Sequence, residues 1–320
     1  MRVLILSHAD VHAALAPDEC ERAMAAVLAA RARGAAFNPL RSIMRPPDAT
    51  EFMGLMPAYA AGGRGHFALK AICLVPSNPA RGLDTHQGTV TLFDGETGMP
   101  TAILNASAVT EIRTAAVTAV ATRRLARDDA RVLTILGAGV QARAHIRALA
   151  GVREWSEVRA YAPNSAHAAA LPGVTVAASA QEAVRDADVV VTVTSSREPV
   201  LAHAWLAPGA HVNAIGASTP TAREIDVDTV VAAALFCDSR ESVCHEAGEF
   251  ALAVKQGAIT GEQHIRAELG EVLAGLRPGR ADAGELTVFR SLGIGVEDLA
   301  AAQVAVDAAG RLGLGVEVEL

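Results

Sequence analysis

The sequence predicts an α/β fold: a doubly wound parallel sheet with a smaller, discontinuous α+β domain. The first observation is the segment 132–142, VLTILGAGVQA, in which an apolar run ends at glycines and a helical pattern follows. The second is a series of apolar runs that alternate with helical stretches between residues 157 and 289. The third is size, because 320 residues of which 51% are hydrophobic can bury a core large enough for two domains.

The glycine-rich turn predicts a nucleotide site in the parallel sheet. A helix begins at Val140 directly after the strand and turn, as in a Rossmann-type dinucleotide-binding unit. Gly137 permits the tight turn, Gly139 lets the backbone approach a pyrophosphate, and Ala142 is a small residue where helix and strand pack closely. Free N–H groups and the helix dipole favour phosphate there. The motif therefore predicts nicotinamide or flavin chemistry.

Later strands extend this sheet. They are predicted at Glu157–Ala162, Gly173–Ala177, Asp188–Val193, His211–Gly216, Ala234–Asp238 and Leu286–Phe289. Because helical stretches separate these runs, the strands are expected to be parallel and covered on both faces. The dinucleotide-binding domain is predicted to span residues 113–295.

The preceding part of the chain has a mixed pattern. Its predicted elements are strands at Val3–Ser7, Ala68–Pro76 and Gly88–Asp94, and helices at Pro17–Arg33 and Ser107–Arg127. Another helix is predicted at Val296–Leu312, near the end of the chain. We expect this last helix to pack back on the first domain. The substrate-binding and dimerisation domain is thus predicted to combine residues 1–112 with 296–320.

Charge and composition argue against several classes of partner. The net charge is −7 at pH 7 without a block of Lys and Arg, so nucleic acid is not an expected partner. No apolar run reaches the roughly 18 residues of a membrane span, and the N-terminus is typical of a strand rather than of a secretory signal. We expect a cytoplasmic protein without a membrane partner. Its cysteines are expected to be reduced and packed; they are Cys20, Cys73, Cys237 and Cys244.

A segment that resembles a zinc motif begins at Cys244. His245 is followed four residues later by Glu249, whereas the zincin pattern requires a histidine at that last position. We interpret the segment as a solvated or domain-facing helix start. No metal site is predicted.

Three cations stand among apolar or small residues: Arg41, Lys70 and Arg113. In the strand-like run ALKAICL, Lys70 shares a face with Ile72. A buried cation is costly unless an anion meets it, and a substrate carboxylate could be that anion. The alternative is that each cation lies at the surface or pairs with an internal acid such as Glu111.

The order and spacing of the motifs resemble one known family along nearly the whole chain. The matching segments are MPAYA (56–60), THQGTVTLFDGETGMPTAIL (85–104), VTEIRTAA (109–116), ILGAGVQA (135–142), ADVVVTVTSSREPVL (187–201), PGAHVNAIGASTPTAREID (208–226), AELGEVLAG (267–275) and TVFRSLGIGVEDLAAA (287–302). By these segments the chain resembles the ornithine cyclodeaminase/mu-crystallin family, and most of all its ketimine (cyclic imino acid) reductases. The resemblance implies a Rossmann domain, a substrate domain and a homodimer formed through the substrate domains.

The resemblance also implies the roles of individual residues. Arg41, Lys70 and Arg113 are implied to hold the substrate carboxylate, and we assign them as the catalytic set. The implied cofactor-binding residues are His86, Gln87, Thr114, Gly137, Ala138, Gly139, Val140, Gln141, Asn164, Thr194, Ser195, Ile215 and Ser291.

One departure from the cyclodeaminase pattern bears on the reaction. In ornithine cyclodeaminases an aspartate follows the fifth strand and acts on the substrate amine, whereas Ser218 stands at that position here. Serine is a poor base near neutral pH, which disfavours cyclodeamination. Reduction of a preformed C=N bond needs no such base, and Lys70 or water could supply the proton.

The cofactor's ribose is the second discriminating position. An NAD enzyme usually has Asp or Glu at the end of the second strand, whereas this chain continues through Ala162, Pro163, Asn164 and Ser165. The absence of an acid lowers repulsion against a 2′-phosphate. The family's Asn-Arg-Thr phosphate-binding run is also absent, and Arg143 or His167 could substitute for it. NADP(H) is favoured, and NAD(H) is kept open.

The sequence thus predicts an NAD(P)H-dependent reductase of cyclic imino acids such as pyrroline-2-carboxylate or piperideine-2-carboxylate. One alternative is another enzyme of the family: ornithine cyclodeaminase, an amino-acid dehydrogenase or an opine-type enzyme. Another is a small-molecule binding protein with little activity. The three cations argue against the last, because they would destabilise the fold if no anion met them.

Overall fold

The protein is described from a computed structural model that covers residues 2–62 and 65–320. Its strands are β1 (Arg2–Leu6), β2 (Ala36–Phe37), β3 (Ser42–Met44), β4 (Phe52–Ala60), β5 (His66–Leu74), β6 (His86–Asp94), β7 (Pro100–Asn105), β8 (Val132–Leu136), β9 (Glu157–Tyr161), β10 (Thr175–Val176), β11 (Val189–Thr192), β12 (His211–Ala214), β13 (Ala234–Cys237), β14 (Ile265–Glu268), β15 (Thr287–Arg290) and β16 (Val316–Glu319). They form two separate sheets.

The helices flank these sheets. They are α1 (His8–Ala14), α2 (Pro17–Ala32), α3 (Ala106–Leu125), α4 (Val140–Leu149), α5 (Ser165–Ala169), α6 (Ala180–Val184), α7 (Val227–Ala232), α8 (Arg240–Glu246), α9 (Gly248–Lys255), α10 (Leu269–Leu273) and α11 (Gly295–Leu312). Short 3₁₀ turns occur at Asn78–Arg81, His203–Trp205 and Glu262–His264. Within the described part of the chain, no helix combines the length and apolar character needed to cross a bilayer.

Two compact units divide the chain. The first unit joins Met1–Ala116 to Gly293–Leu320, and the second is Val117–Leu292. The first unit is therefore discontinuous in sequence, because its final helix and strand come from the end of the chain. The substrate-binding and dinucleotide-binding roles of the two domains stay predictions.

The first unit is a mixed sheet with helices against it. Its strand order is β16-β1-β7-β6-β5-β4-β2, and β3 also pairs with β4. Antiparallel pairing joins β4, β5, β6 and β7, whereas β1 runs parallel to β7. Helix α11 packs across β4, β5 and β6 and also against α2. This arrangement brings the first turn of α11 to the centre of the sheet, where the cations are found.

The second unit is a parallel sheet of the predicted doubly wound kind. Its strand order is β10-β9-β8-β11-β12-β15-β13-β14. From β8 the chain first proceeds outward to β9 and β10, and it then returns to β11 on the other side of β8. The order of the strands therefore reverses between β8 and β11. Ligands bind open α/β sheets beyond the carboxyl ends of the strands at such a switch point.

Several elements were not predicted from the sequence. Strand β4 contains Gly54 and Pro57, two residue types that weaken a strand prediction. Helix α1 has only seven residues, too few for a clear helical period. Strand β14 has four residues and pairs only at the edge of the second sheet, beside β13. These short or interrupted elements depend on tertiary pairing more than on their own pattern.

Candidate active site

Lys70 is a buried cation in the middle of strand β5. Its side chain lies on the same face as Ala68 and Ile72, as the alternation predicts, and the residue is only 3% exposed. Its Nζ donates to Oδ1 of Asp298, in the first turn of α11, at 3.0 Å. Burial lowers the pKa of Lys70 to about 8, with Asp298 acting in the opposite direction. Lys70 is therefore still mainly protonated at pH 7.

Arg113 joins the same carboxylate from helix α3. Its Nε donates to Oδ1 of Asp298 at 3.0 Å, and its Nη1 donates to Oε2 of Glu297 at 2.8 Å. Both acids come from α11. The sequence suggested Glu111 as the internal acid, but Glu111 lies 3.4 Å from Nε2 of His12 instead. The argument that unpaired cations require a substrate anion was therefore wrong for Lys70 and Arg113, because internal carboxylates already meet them.

Arg41 completes the cluster through Gly293. Its Nη2 donates to the carbonyl oxygen of Gly293 at 2.9 Å. Gly293 has φ +73°, and a Cβ there would lie 2.5 Å from both Nη1 and Nη2 of Arg113. The absence of a side chain at this position thus allows the Arg113 guanidinium to lie against the backbone.

The cluster combines three cations with two acids. Arg41, Lys70 and Arg113 supply three positive charges, whereas Glu297 and Asp298 supply two negative ones. Burial favours the neutral form of Asp298, but Arg113 and Lys70 more than offset it and hold the pKa of Asp298 below its ordinary value. The two acids preorganise the cations without neutralising all of them. These five groups together can still bind one carboxylate.

His86 and Gln87 begin strand β6 in the same unit. Burial, together with the nearby charges of Lys70 and Arg113, lowers the pKa of His86 to about 4, so the imidazole is neutral at pH 7. Gln87 donates through Nε2 to the carbonyl oxygen of Asp84 at 3.1 Å. Thr114 follows Arg113 on α3 and is 8% exposed. The cofactor contacts of these three residues stay predictions.

The glycine turn in the second unit fits a dinucleotide pyrophosphate. Gly137 has φ +126°, and a Cβ on it would lie 2.6 Å from the carbonyl oxygen of Val193. Gly139 is the N-cap of α4, which no side chain caps, and a Cβ on Gly139 would meet nothing within 4 Å. The first-turn amides, including those of Val140 and Gln141, thus present an open helix terminus to an anion. Ala138 lies between the two glycines.

Other predicted cofactor residues lie at carboxyl ends of parallel strands. Thr194 and Ser195 follow β11, Ile215 follows β12, and Ser291 follows β15. Ser195 is exposed, whereas Ile215 and Ser291 are 7% and 2% exposed. Ser291 donates through Oγ to Oδ2 of Asp238 at 3.0 Å. All four positions belong to the sheet edge at which α/β proteins bind nucleotides.

Asn164 lies beyond the end of β9, where a ribose-binding acid usually stands. Its side-chain oxygen accepts from the Ala166 amide at 3.1 Å and caps α5. Its Nδ2 lies 3.3 Å from Nε2 of His167. The residues from Ala162 to Ser165 include no carboxylate. The stretch therefore lacks the acid that a typical NAD site presents to the ribose 2′-hydroxyl.

Sequence reasoning missed Glu224, which connects two strand ends. The residue is 1% exposed, and its carboxylate accepts from the Thr194 amide at 2.6 Å and from the Thr194 hydroxyl at 2.8 Å. It also accepts from the Gly216 amide at 2.6 Å and from the Thr192 hydroxyl at 2.9 Å. Burial raises the pKa of Glu224, whereas the bonds from Thr194 lower it. Glu224 therefore positions the loops after β11 and β12.

We expect Glu224→Gln to loosen these two loops. The amide NH₂ would face donors where the carboxylate accepts, which leaves buried N–H or O–H groups unsatisfied. The free energy of unfolding should fall by about 2 kcal/mol, and the cofactor Kd should rise. Chemical denaturation and a nucleotide titration measure the two effects. The control is Glu241→Gln, because Glu241 is exposed and this change breaks no such network. Equal effects of the two changes would contradict the positioning role of Glu224.

The segment at Cys244 does not place its potential zinc ligands on one helix. Helix α8 ends at Glu246 and α9 begins at Gly248, so His245 and Glu249 lie on different helices. Glu249 is 2% exposed and forms an ion pair with Arg290. The interpretation as a helix start is therefore only partly right: the segment ends α8 before it begins α9, and Glu249 is buried rather than solvated.

The chain is similar to several known reductases and dehydrogenases. Ketimine reductase mu-crystallin of Mus musculus is 39% identical over 281 residues, which cover 86% of this chain and 86% of that protein. The structure of Thermococcus litoralis Δ¹-pyrroline-2-carboxylate reductase, in complex with NADH and L-proline, has a TM-score of 0.94 at 33% identity and covers 99% of this chain and 100% of that chain. An archaeal alanine dehydrogenase dimer with bound NAD has a TM-score of 0.93 at 32% identity and covers 100% of both chains.

These similarities define an oxidoreductase that acts on C=N bonds and uses a nicotinamide cofactor. The predicted α/β class is confirmed. The model of the ornithine cyclodeaminase/mu-crystallin family matches residues 1–311. The chain belongs to this family, as its motifs indicated.

Proposed function

We propose that the protein reduces cyclic ketimine acids, such as pyrroline-2-carboxylate or piperideine-2-carboxylate, to cyclic amino acids with NAD(P)H. The observation that carries this proposal is the cluster of three cations in the first unit, Arg41, Lys70 and Arg113, which is linked through Asp298, Glu297 and Gly293. Such a group of cations suits a substrate with a carboxylate next to its imine carbon.

In this proposal the cations hold the substrate by its carboxylate. Arg113 is fixed by Glu297 and Asp298, and Lys70 by Asp298, so neither cation has to be ordered when substrate binds. Arg41 is half-buried and donates to the carbonyl oxygen of Gly293, and its planar guanidinium suits a bidentate bond to a carboxylate. Because the cations bind the carboxylate, the site selects α-imino acids over simple imines.

The acid and base groups that the two units offer suit reduction better than amine deprotonation. A bound nicotinamide supplies the hydride that the imine carbon accepts. Lys70 has a pKa of about 8, so its ammonium group can donate a proton to the imine nitrogen. Ser218 is a serine at the position where a cyclodeaminase has aspartate, and it offers no base for removing a proton from an amine.

We propose that NADPH is the preferred reductant. The stretch after β9 carries no acid that would repel a 2′-phosphate, and Arg143 and His167 are both exposed. The two structures cited above hold NADH and NAD, so NADH is the alternative cofactor. The ratio of kcat/KM for NADPH to that for NADH decides between them.

The rate is expected to depend on pH through Lys70. Below about pH 8 the ammonium is charged and holds substrate, whereas above that value it loses its proton. We expect kcat/KM for imine reduction to fall about tenfold per pH unit above pH 8. The matched variant is Lys70→Arg, whose guanidinium stays charged and should remove this falling limb even if its overall rate is lower. If kcat/KM falls in the same way above pH 8 in the unchanged protein and in Lys70→Arg, the fall is due to ionisation of the substrate.

The reaction itself is tested by following the loss of reduced nicotinamide at 340 nm with each cyclic imino acid. A matched substrate is 1-pyrroline, which lacks the carboxylate and should react at least about 100-fold more slowly in kcat/KM. Ornithine with NAD is the cyclodeaminase control, followed as proline and ammonia. Proline formation from ornithine without imine reduction would contradict the proposal.

An alanine dehydrogenase-type reaction is the second candidate. The similarity to the archaeal alanine dehydrogenase favours it, and the same cations could bind the carboxylate of an acyclic imine. Pyruvate with ammonia and reduced cofactor tests it directly. A kcat/KM for pyruvate above that for the cyclic imino acids would make this the main activity.

We also propose that the protein is a homodimer formed through the first unit, as the resemblance implies. Phe37 is 65% exposed, Met44 is 57% exposed and Ile43 is 46% exposed, all on the short strands β2 and β3. Large apolar side chains that are this exposed are available for an interface. Light scattering is expected to give twice the 33.0 kDa chain mass, and Ile43→Asp should shift it to one chain.

A further inference from the structure

The first unit contains two imidazoles and a carboxylate that the proposed reaction does not use. His8 and His12 lie four residues apart on α1, so both lie on one face of the helix. Glu111 reaches them from α3. Among the residues that the structure describes, no other group of His, Cys, Asp and Glu brings three ligand atoms this close together.

The three side chains are already at distances suited to a metal ion. Their ligand atoms all lie within 4.8 Å of one another, and Nε2 of His12 lies 3.4 Å from Oε2 of Glu111. Two ligands bound tetrahedrally at Zn–N and Zn–O distances of about 2.0–2.1 Å are separated by roughly 3.3 Å. The centroids of the two imidazole rings are 4.6 Å apart. Small side-chain rotations therefore suffice to form the site.

The burial of these side chains suits a site that a metal ion can enter from solvent. Glu111 is 9% exposed, the side chain of His12 is 32% exposed and His8 is exposed. Two histidines and one glutamate are a common zinc ligand set, to which water adds a fourth ligand. The nearby Asp10 is not part of the set, because it accepts from the amide and hydroxyl of Ser7 in the capping box of α1.

This group is distinct from the cation cluster. Glu111 and Arg113 are two residues apart on α3, which places their side chains about 200° apart around the helix. Arg113 turns to the acids of α11, whereas Glu111 turns to α1. A metal ion at Glu111 would thus bridge α1 and α3 without taking an acid away from Lys70 or Arg113.

We propose that His8, His12 and Glu111 bind one divalent transition-metal ion of the zinc class, which links α1 to α3 and stabilises the first unit. From the sequence we predicted no metal site, since Glu111 lies about a hundred residues from the histidines and only the fold brings it to them. The site is independent of the proposed reaction, because its ligands do not belong to the cation cluster.

The test is a titration of the full-length, chelator-treated protein with Zn²⁺, followed by calorimetry and by thermal unfolding. We expect one ion per chain and a rise in Tm that grows with free Zn²⁺. His12→Ala and Glu111→Gln should each weaken binding at least about tenfold and remove the rise in Tm. His245→Ala is the matched control, because it removes an exposed histidine outside the proposed site. His245 lies next to Cys244, and these two residues are the pair of potential metal ligands that the control tests.

Co²⁺ in place of Zn²⁺ identifies the ligands by spectroscopy. A site of nitrogen and oxygen ligands gives visible d–d bands without a thiolate-to-cobalt charge-transfer band. Three results would each overturn the proposal: no Zn²⁺ binding by the protein without substitutions, unchanged binding in both site variants, or a loss of binding in His245→Ala. A folded His12→Ala protein with normal imine reduction but no Zn²⁺ response would support it.

Discussion

Replacing Lys70 with methionine is expected to lower kcat for imine reduction by at least about 100-fold. Methionine has a similar length and fills the buried space on β5, but it can neither hold a proton nor attract a carboxylate. Asp298 still accepts from Nε of Arg113, so one partner of the buried acid remains. Steady-state kinetics with pyrroline-2-carboxylate or piperideine-2-carboxylate give kcat and KM separately, and circular dichroism verifies the fold.

The control for this variant is Lys255→Met, because Lys255 is exposed at the end of α9. We expect its kcat and KM to equal those of the unchanged protein. A raised KM with an unchanged kcat in Lys70→Met would restrict Lys70 to substrate binding and would remove it as the proton donor.

Gly139→Ala is expected to raise the Kd for reduced nicotinamide cofactor at least about tenfold while the protein stays folded. The added methyl group meets no protein atom within 4 Å, and the φ of −85° at Gly139 suits alanine. The methyl group would instead occupy the space in front of the α4 N-terminus, where we propose that the pyrophosphate binds. A fluorescence titration of reduced cofactor measures the change.

Gly137→Ala separates a structural effect from this cofactor effect. Gly137 has φ +126°, and its Cβ would lie 2.6 Å from a backbone oxygen of Val193, so the turn itself must shift. We expect this variant to lose about 2 kcal/mol or more of unfolding free energy, whereas Gly139→Ala should lose less than about 0.5 kcal/mol. Unchanged cofactor affinity in Gly139→Ala would show that no phosphate approaches that residue.

The parallel sheet could be predicted because its strands carry their own signal. Strands β8 and β11 are short apolar runs next to glycine or turn residues, and each is buried on both faces. The buried face of β5 that contains Lys70 followed from simple alternation. Such local periodicity is present in the sequence before any tertiary contact forms.

The partners of the cations could not be predicted in the same way. Asp298 is 228 residues from Lys70 and 185 residues from Arg113 along the chain, and no local pattern records such pairings. The helix that carries Asp298 was predicted, and its expected packing on the first domain was the available signal. Acidic residues in the first turn of a helix are common for dipole reasons, which concealed their second role.

Glu224 was missed for a different physical reason. It lies outside the helices and strands, where periodicity carries no information, and its importance comes from several donors that converge on it in three dimensions. A glutamate shortly after the fifth predicted strand was the only hint in the sequence. Buried acceptors of this kind become visible only when backbone amides of two loops are placed together.

In the proposed reaction a hydride passes from the nicotinamide cofactor to the carbon next to the substrate carboxylate. The most direct measurement uses NAD(P)H carrying deuterium at the transferred C4 position with a cyclic imino acid, followed by mass spectrometry and NMR of the product. We predict one deuterium at the α-carbon of the cyclic amino acid and one oxidised cofactor per product. An unlabelled product, or product formed without net cofactor oxidation, would contradict the account.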